Sequence, residues 1–304
     1  VYGDYDVDGT TAVALVYKYL SSFYSNIDFF IPTRYEEGYG ISSETIDDFA
    51  DQGVKLVIIL DCGIKANEEI AHAAEHGIDF IICDHHVPDD ELPQAVAILN
   101  PKMPGSSYPC PHLSGCGVGY KLMQAFSISN GIPQADLEGM LDLVAVSIAA
   151  DIVPMVDENR IMAFYGLRRL NSNPNMGLRA IIRTCNLNNR EITISDVIFK
   201  IGPRINASGR MQSGMEAFEL LISRDFNDAL ERARNIDQYN KDRKELDKRI
   251  TEEANNILSR RSDAEADRKT IVIFNKDWHK GIIGIVASRL TELYYKPSVV
   301  LTLA

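Results

Sequence analysis

Three carboxylates at alternate positions stand at the start of the chain. Asp4, Asp6 and Asp8 lie in Gly-Asp-Tyr-Asp-Val-Asp-Gly, between a strand-like start and a helical pattern. Three acids in so short a span repel one another, so a fold that gathers them usually supplies a compensating cation. Their oxygen atoms favour magnesium or manganese. For this segment alone, a solvated acidic turn or charges at a helix N-terminus would be the alternative.

More acids and two imidazoles follow apolar runs further along the chain. Asp61 ends one β-branched run, and Asp84-His85-His86 ends the next. The carboxyl ends of parallel strands meet in one crevice, so we expect these side chains to converge there. Asp151 follows a run too apolar to hold an isolated charge comfortably. Taken singly, hydrogen-bonded surface histidines and a helix cap would be the alternatives.

The first half alternates short apolar runs with helical patterns, which predicts an α/β fold with a parallel sheet. Strands are predicted over 27–31, 56–60, 80–83 and 95–99, and helices over 11–22, 42–52 and 66–75. A buried helix is predicted over 137–150, and one or two long amphipathic helices over 216–262. A second α/β unit is predicted from a strand at 270–274, a loop and helix at 279–293 and a strand at 298–303.

These patterns predict three parts: a catalytic domain over 1–157, a helical connector over 158–262, and the truncated start of another domain over 263–304. Charge differs between the halves. Residues 1–157 carry 6 Lys and Arg against 24 Asp and Glu, whereas residues 158–304 carry 25 against 19. An acidic half can concentrate divalent cations while a basic half meets phosphate. Two differently charged solvated surfaces would be the alternative.

Five cysteines, odd in number and without C-x-x-C spacing, predict reduced thiols. No apolar run approaches the roughly 20 residues of a membrane helix. The start carries no basic-then-apolar leader either. We therefore expect a cytoplasmic protein without a membrane partner.

In order and type, these motifs resemble those of the DHH phosphoesterase superfamily: D-x-D-x-D-G, a strand-end Asp, Asp-His-His and a later Asp. The resemblance implies two Mn²⁺ ions, with Mg²⁺ as a substitute, in a DHH catalytic domain. One ion would be held by Asp6, Asp61 and Asp151, and the other by Asp8, Asp61, His85 and Asp151, with Asp61 bridging.

The resemblance also implies catalytic roles for two further residues. His86 would face the scissile phosphate as a donor. Asp4 would compensate for Tyr2, which stands where many relatives carry a histidine.

Other segments resemble the RecJ family within this superfamily. Their substrate-facing residues would be Arg34 in Ile-Pro-Thr-Arg, then Arg204, Asn206 and Arg210 in Pro-Arg-Ile-Asn-Ala-Ser-Gly-Arg, Asn240 and Arg243 in N-x-x-R, and His279 in the opening of a DHHA1 domain. An arginine fork suits a terminal phosphate. Surface salt bridges of the two arginines at 204 and 210, and a helix cap by His279, are the alternatives.

The resemblance implies a metal-dependent 5′-to-3′ exonuclease that hydrolyses single-stranded DNA with a 5′ phosphate to 5′ mononucleotides, in repair and recombination. Single-strand-binding protein would be a partner. Two other functions stay open: a DHH phosphodiesterase acting on short oligonucleotides or cyclic dinucleotides, and a non-catalytic replication scaffold of the same fold. Relatives of the first kind usually carry Gly-Gly-Gly-His where this chain has His279-Lys280-Gly281, and scaffolds typically lack some of the acids retained here.

Overall fold

The computed structural model describes residues 1–35, 37–260 and 268–303. By its internal contacts the chain forms two compact units, Val1–Ile236 and Asp237–Ala304.

A four-stranded parallel sheet lies at the centre of the first unit. Its strands, in the order β1-β2-β3-β4, are β1 (Tyr2–Gly3), β2 (Leu56–Leu60), β3 (Asp79–Cys83) and β4 (Ala97–Leu99). Gly3 and Cys83 both lie in register with Leu60. The residues that follow β1, β2 and β3 therefore leave the sheet at one edge. Continuous apolar runs suit these strands because a parallel sheet is covered on both faces.

Helices surround the sheet. They are α1 (Val7–Leu20), α2 (Ser43–Asp51), α3 (Asn67–Glu75), α4 (Gly115–Ser129), α5 (Ala135–Glu138) and α6 (Leu141–Ala150). The side chains of Asp6, Ser42 and Ser114 accept hydrogen bonds from the first turns of α1, α2 and α4, so each N-terminus is capped. Helix α1 is buried along most of its length and contacts α4 and α6.

The first unit continues through short helices. These are α7 (Asp157–Ser172), α8 (Met176–Thr184), α9 (Ile194–Asp196), a π-helical turn (Val197–Ile201), α10 (Gly202–Met211) and α11 (Gly214–Ile222). Helix α11 packs against α1, α8 and α10. This layer places the Pro-Arg-Ile-Asn segment on α10.

Helix α12 (Phe226–Ser259) begins in the first unit and runs into the second. The second unit pairs β5 (Ile271–Phe274) in parallel with β6 (Ser298–Leu301), with α13 (Lys280–Tyr294) between them. Buried Trp278 donates from its indole Nε1 to Glu253 at 2.8 Å, and Arg289 pairs with Asp247 at 2.7 Å. These contacts tie the long helix to the small sheet of its own unit.

Two predicted elements differ from the structure. The strand expected over 27–31 is absent: Phe30 forms only an isolated bridge with Tyr2, because β1 is two residues long and offers no longer ladder. The helix expected over 137–150 is interrupted between α5 and α6. The pattern over 216–262 forms two helices, α11 and α12, which is one of the two predicted alternatives, although only α12 is long; residues 261–262 lie outside the described part.

All five cysteines are free thiols. Among the described residues, no helix combines the length and the apolar character that crossing a membrane requires.

Candidate metal centre

Carboxylates and imidazoles from three strand ends and one helix end meet at one edge of the sheet. Ligand atoms lie within 4.8 Å of one another in three overlapping groups: Asp4, Asp6 and Asp61; Asp8, His85 and Asp151; and Asp61, His85 and His86. The sheet register explains the convergence, since β1, β2 and β3 end side by side. All seven residues predicted to bind metal or to act in catalysis thus come together.

His85 lies in the middle of these acids. Its Nε2 is 3.1 Å from Asp61 Oδ1, 3.6 Å from Asp8 Oδ2 and 3.7 Å from Asp151 Oδ2. Burial lowers the pKa of His85 despite the neighbouring carboxylates. The imidazole is therefore favoured in its neutral form, which is the form that binds a metal.

Asp61 holds a strained backbone at the end of β2. Its φ of 60° lies in the left-handed region, which a non-glycine residue seldom adopts, and its N–H donates to Cys83 O at 2.9 Å. Burial, followed by the charges of Asp8 and Asp6, raises the pKa of Asp61 well above its usual value. A side chain at Gly115 would collide with the Asp61 carboxylate, so the glycine leaves room for it.

The N-terminus of α4 holds the Asp8 carboxylate through hydrogen bonds. Its Oδ2 accepts from the backbone of Gly115 at 2.6 Å, and its Oδ1 accepts from the backbone of Cys116 at 2.7 Å and from the hydroxyl of Ser147 at 2.7 Å. The N-terminus of a helix favours a carboxylate because its N–H groups lack intrahelical partners. Sequence patterns did not predict these donors, although the Ser-Gly-Cys-Gly sequence at the start of α4 could have indicated an anion-binding helix end.

The remaining acids are difficult to ionise without a cation. Burial and the charge of Asp6 raise the pKa of Asp4 to about 7, and burial with the charges of Asp8 and Asp6 raises that of Asp151 to about 7. Burial and Asp8 also raise the pKa of Asp6, although its carboxylate accepts from Gly9 N at 3.1 Å as the cap of α1.

The Asp84 carboxylate stabilises the Asp-His-His turn through several hydrogen bonds. Its Oδ1 accepts from His86 Nδ1 at 2.7 Å and from the backbone of His85 at 2.7 Å, and its Oδ2 accepts from Ile64 N at 3.0 Å. Burial opposes ionisation of Asp84, but the hydrogen bonds and charge of His86, together with the bond from Ile64 N, outweigh it and keep its pKa below the usual value. The bond to Asp84 raises the pKa of His86, whose side chain is 44% exposed.

Four of the predicted substrate residues lie in the first unit. The Arg34 guanidinium lies 4.4 Å from the centre of the Tyr5 ring. Asn206 Oδ1 accepts from Val7 N at 3.2 Å, which joins α10 to the start of α1. Arg204 donates to Lys200 O at 2.7 Å, and the carbonyl of Arg210 accepts from the Tyr35 hydroxyl.

The other three, Asn240, Arg243 and His279, lie in the second unit. Asn240 is buried, and neither its Oδ1 nor Arg243 Nε has a hydrogen-bond partner among the described residues. His279 Nδ1 accepts from Gly281 N at 3.1 Å and caps α13.

Unpartnered buried atoms at the centre fit a bound cation. Asp4 Oδ1, Asp61 Oδ1 and both ring nitrogens of His85 have no hydrogen-bond partner within the described part of the chain. Such atoms are costly to bury without a partner. Clustered carboxylate oxygens with one imidazole form a donor set suited to Mn²⁺ or Mg²⁺.

Comparison with known proteins gives consistent matches. Residues 1–148 match the DHH family, N-terminal domain. The single-stranded-DNA-specific exonuclease RecJ of Bacillus subtilis (strain 168) is 38% identical over 99% of this chain and 37% of its own length. RecJ of Escherichia coli (strain K12) is 34% identical over 98% of this chain and 54% of its own length. The chain thus spans about a third to a half of these relatives.

Solved structures agree with the sequence matches. A crystal structure of exonuclease RecJ bound to manganese superposes with a TM-score of 0.89 at 30% identity, covering 99% of this chain and 74% of that one. RecJ of Thermus thermophilus in complex with Mn²⁺ gives a TM-score of 0.84 at 28% identity, covering 99% of this chain and 43% of that one.

Proposed function

The chain belongs to the DHH family, in its RecJ branch, and from that membership we propose that it hydrolyses phosphodiester bonds of single-stranded DNA. The proposed reaction is metal-dependent 5′-to-3′ removal of 5′ mononucleotides, in repair and recombination. One observation carries the proposal: the oxygens of Asp8, Asp61 and Asp151 surround a buried imidazole nitrogen of His85 that has no hydrogen-bond partner among the described residues.

We propose Mn²⁺ as the ion, two per centre, with Mg²⁺ as a substitute. Asp6, Asp61 and Asp151 would hold the first, and Asp8, Asp61, His85 and Asp151 the second. Two bound dications would lower the pKa of a coordinated water and stabilise charge on the phosphoryl oxygens. The grouping of Asp4 with Asp6 and Asp61 supports a role for Asp4 beside the first ion.

His86 is the proposed donor to the scissile phosphate. Asp84 fixes its Nδ1, which leaves Nε2 as the free end of a half-exposed ring. The raised pKa of His86 favours the protonated form, which can donate to a phosphoryl oxygen. Asp84 therefore acts as a positioning residue.

Arginines are the proposed ligands of the DNA phosphates, with Arg34 at the terminal 5′ phosphate. Its position beside Tyr5 supports this role, because Tyr5 lies between Asp4 and the proposed metal ligand Asp6. Arg204, Asn206, Arg210, Asn240, Arg243 and His279 complete the proposed substrate set.

The proposed functional division is a catalytic domain over 1–157, a helical connector over 158–262 and the start of a further domain over 263–304.

We also propose a cytoplasmic location. Single-strand-binding protein is the proposed partner, because a single-strand nuclease works on DNA that this protein coats. Co-elution of the two proteins without DNA would support the partnership.

The decisive assay compares substrates with Mn²⁺ present. We expect mononucleotides from a 5′-phosphorylated single strand, much slower cleavage of a 5′-hydroxyl strand, and no activity in Asp61→Asn. Faster turnover of a dinucleotide or a cyclic dinucleotide would favour the short-substrate phosphodiesterase. Absence of manganese-dependent cleavage of every substrate would favour the scaffold.

A further inference from the structure

A second group of potential metal ligands lies on the surface of α2 and α3. His72 and His76 are four residues apart at the end of α3, so they share one face of that helix. His72 Nε2 lies 2.7 Å and His76 Nε2 lies 3.4 Å from the same oxygen, Oδ1 of Asp47 on α2. We propose that Asp47, His72 and His76 bind a divalent cation of the zinc class, at a site separate from the phosphodiesterase centre.

The donor set differs from that of the phosphodiesterase centre. Two imidazoles and one carboxylate suit Zn²⁺, Ni²⁺ or Cu²⁺, whereas the oxygen-rich centre suits Mn²⁺ and Mg²⁺. Zinc bonds of about 2.0–2.2 Å in tetrahedral geometry separate ligand atoms by about 3.4 Å. The His76–Asp47 distance already has this value, and the His72–Asp47 distance must open by less than 1 Å. Three protein ligands leave the fourth position to water.

The backbone holds the three ligands at a fixed spacing. Ile46 and Phe49 of α2 and Ile70 and Ala73 of α3 are buried in one hydrophobic cluster, and each lies within two residues of a ligand position in sequence. The ligand side chains themselves are 57%, 30% and 38% exposed, for Asp47, His72 and His76, so an ion reaches them from solvent. The three ligand atoms lie within 4.8 Å of one another before an ion binds, which lowers the entropic cost of gathering them.

Charge also favours a cation here. Asp48 and Asp51 neighbour Asp47 on α2, and Glu75 lies between the two histidines in sequence, within the strongly acidic first half. An ion at this site would cross-link α2 to α3 in the folded chain and would have no equivalent site in the unfolded one. Binding therefore stabilises the fold.

The test counts zinc in a protein whose phosphodiesterase centre has been disabled. Asp61→Asn is compared with the triple variant Asp61→Asn/His72→Ala/His76→Ala, and Asp61→Asn/His112→Ala controls for loss of an exposed histidine. After dialysis against chelator-buffered Zn²⁺, metal content is measured by mass spectrometry. We expect the triple variant to bind one zinc per chain fewer than Asp61→Asn and the His112 control to bind the same number. Equal zinc in all three proteins would overturn the proposal.

Two further readouts make the result independent of folding defects. Zn²⁺ in large excess over its Kd should raise the Tm of Asp61→Asn by several degrees and leave that of the triple variant unchanged. Cu²⁺ bound to Asp61→Asn should give an electron paramagnetic resonance spectrum with hyperfine coupling to two imidazole nitrogens. In Asp61→Asn/His76→Gln the coupling should fall to one nitrogen, while the circular dichroism spectrum of the protein stays unaltered. A spectrum that His76→Gln leaves unchanged would refute the site.

Discussion

Asp61 and Asp196 are both buried carboxylates, and their surroundings are opposite. Asp196, at the end of α9, pairs with Arg190 and with Lys200 at 3.0 Å, and closes a capping box with Thr193. Asp61 lies among Asp4, Asp6 and Asp8 and beside the imidazole of His85. Hydrogen bonds from Arg190, acting against burial, lower the pKa of Asp196, whereas burial and neighbouring acids raise that of Asp61.

This difference indicates which of the two carboxylates lacks a positive partner within the chain. Around Asp196, the chain supplies both cations and all the hydrogen-bond donors that the carboxylate requires. Around Asp61, it supplies further acids and an imidazole whose protonation is disfavoured. The first arrangement stabilises the fold. The second destabilises the metal-free protein, and we propose that bound metal ions offset the repulsion among its acids.

The largest expected effect is that of Asp61→Asn on activity. The amide cannot bridge two cations, so we expect cleavage of a 5′-phosphorylated single strand to fall at least about 10³-fold. In metal-free buffer the variant should unfold at the same temperature as the wild type or higher, because a source of repulsion is gone. Cleavage within tenfold of the wild type would contradict the bridging role.

Next in size is His86→Ala. Loss of a donor at the phosphate should reduce kcat about 10²–10³-fold, while Mn²⁺ content stays unchanged. Asp84→Asn, which disturbs the same ring indirectly, should cost about 10–100-fold. Single-turnover kinetics with metal analysis separates these outcomes, and loss of bound manganese in His86→Ala would assign His86 to the metal instead.

The pH dependence of stability should have opposite signs in the two regions. Asp4 and Asp151 have pKa values of about 7 in the folded protein, against about 3.9 when unfolded. Between those values the folded state holds protons that the unfolded state releases, so the metal-free protein should lose stability as pH rises from about 4 to 7. Asp196, with a lowered pKa, contributes stability that is present above about pH 4 and lost in more acidic solution.

Urea titrations of the metal-free protein across this range measure both contributions. The variant Asp4→Asn/Asp151→Asn should flatten the slope between pH 4 and 7. A slope identical to that of the wild type would show that these acids do not carry the effect.

The smallest expected effect is that of Asp196→Ala. Loss of the cap and of the charged hydrogen bonds should lower the free energy of unfolding by about 2 kcal/mol. Turnover per folded molecule should remain that of the wild type. A large loss of activity in the folded variant would mean that this region also contributes to catalysis.

Local spacing predicted much of the fold and of the site. The runs before Asp61 and Asp84 are strands because β-branched residues suit a parallel sheet covered on both faces, and their ends fix where the acids meet. Local spacing could not predict the hydrogen bonds from Gly115 and Ser147 to Asp8, because those donors lie more than 100 residues away in sequence.

Other features depended on tertiary context in a similar way. The run at 27–31 has strand-like composition, yet β1 is too short to pair with it over more than one bridge. The Asp47–His72–His76 group has no contiguous motif, since its members come from two helices whose packing the sequence does not state.

Anomalous scattering from manganese-soaked crystals would locate the proposed ions at the edge of the sheet. We expect two peaks about 3.5–4 Å apart, both within bonding distance of Asp61, with His85 at one of them. A single peak away from Asp61, or none at that edge of the sheet, would contradict this expectation.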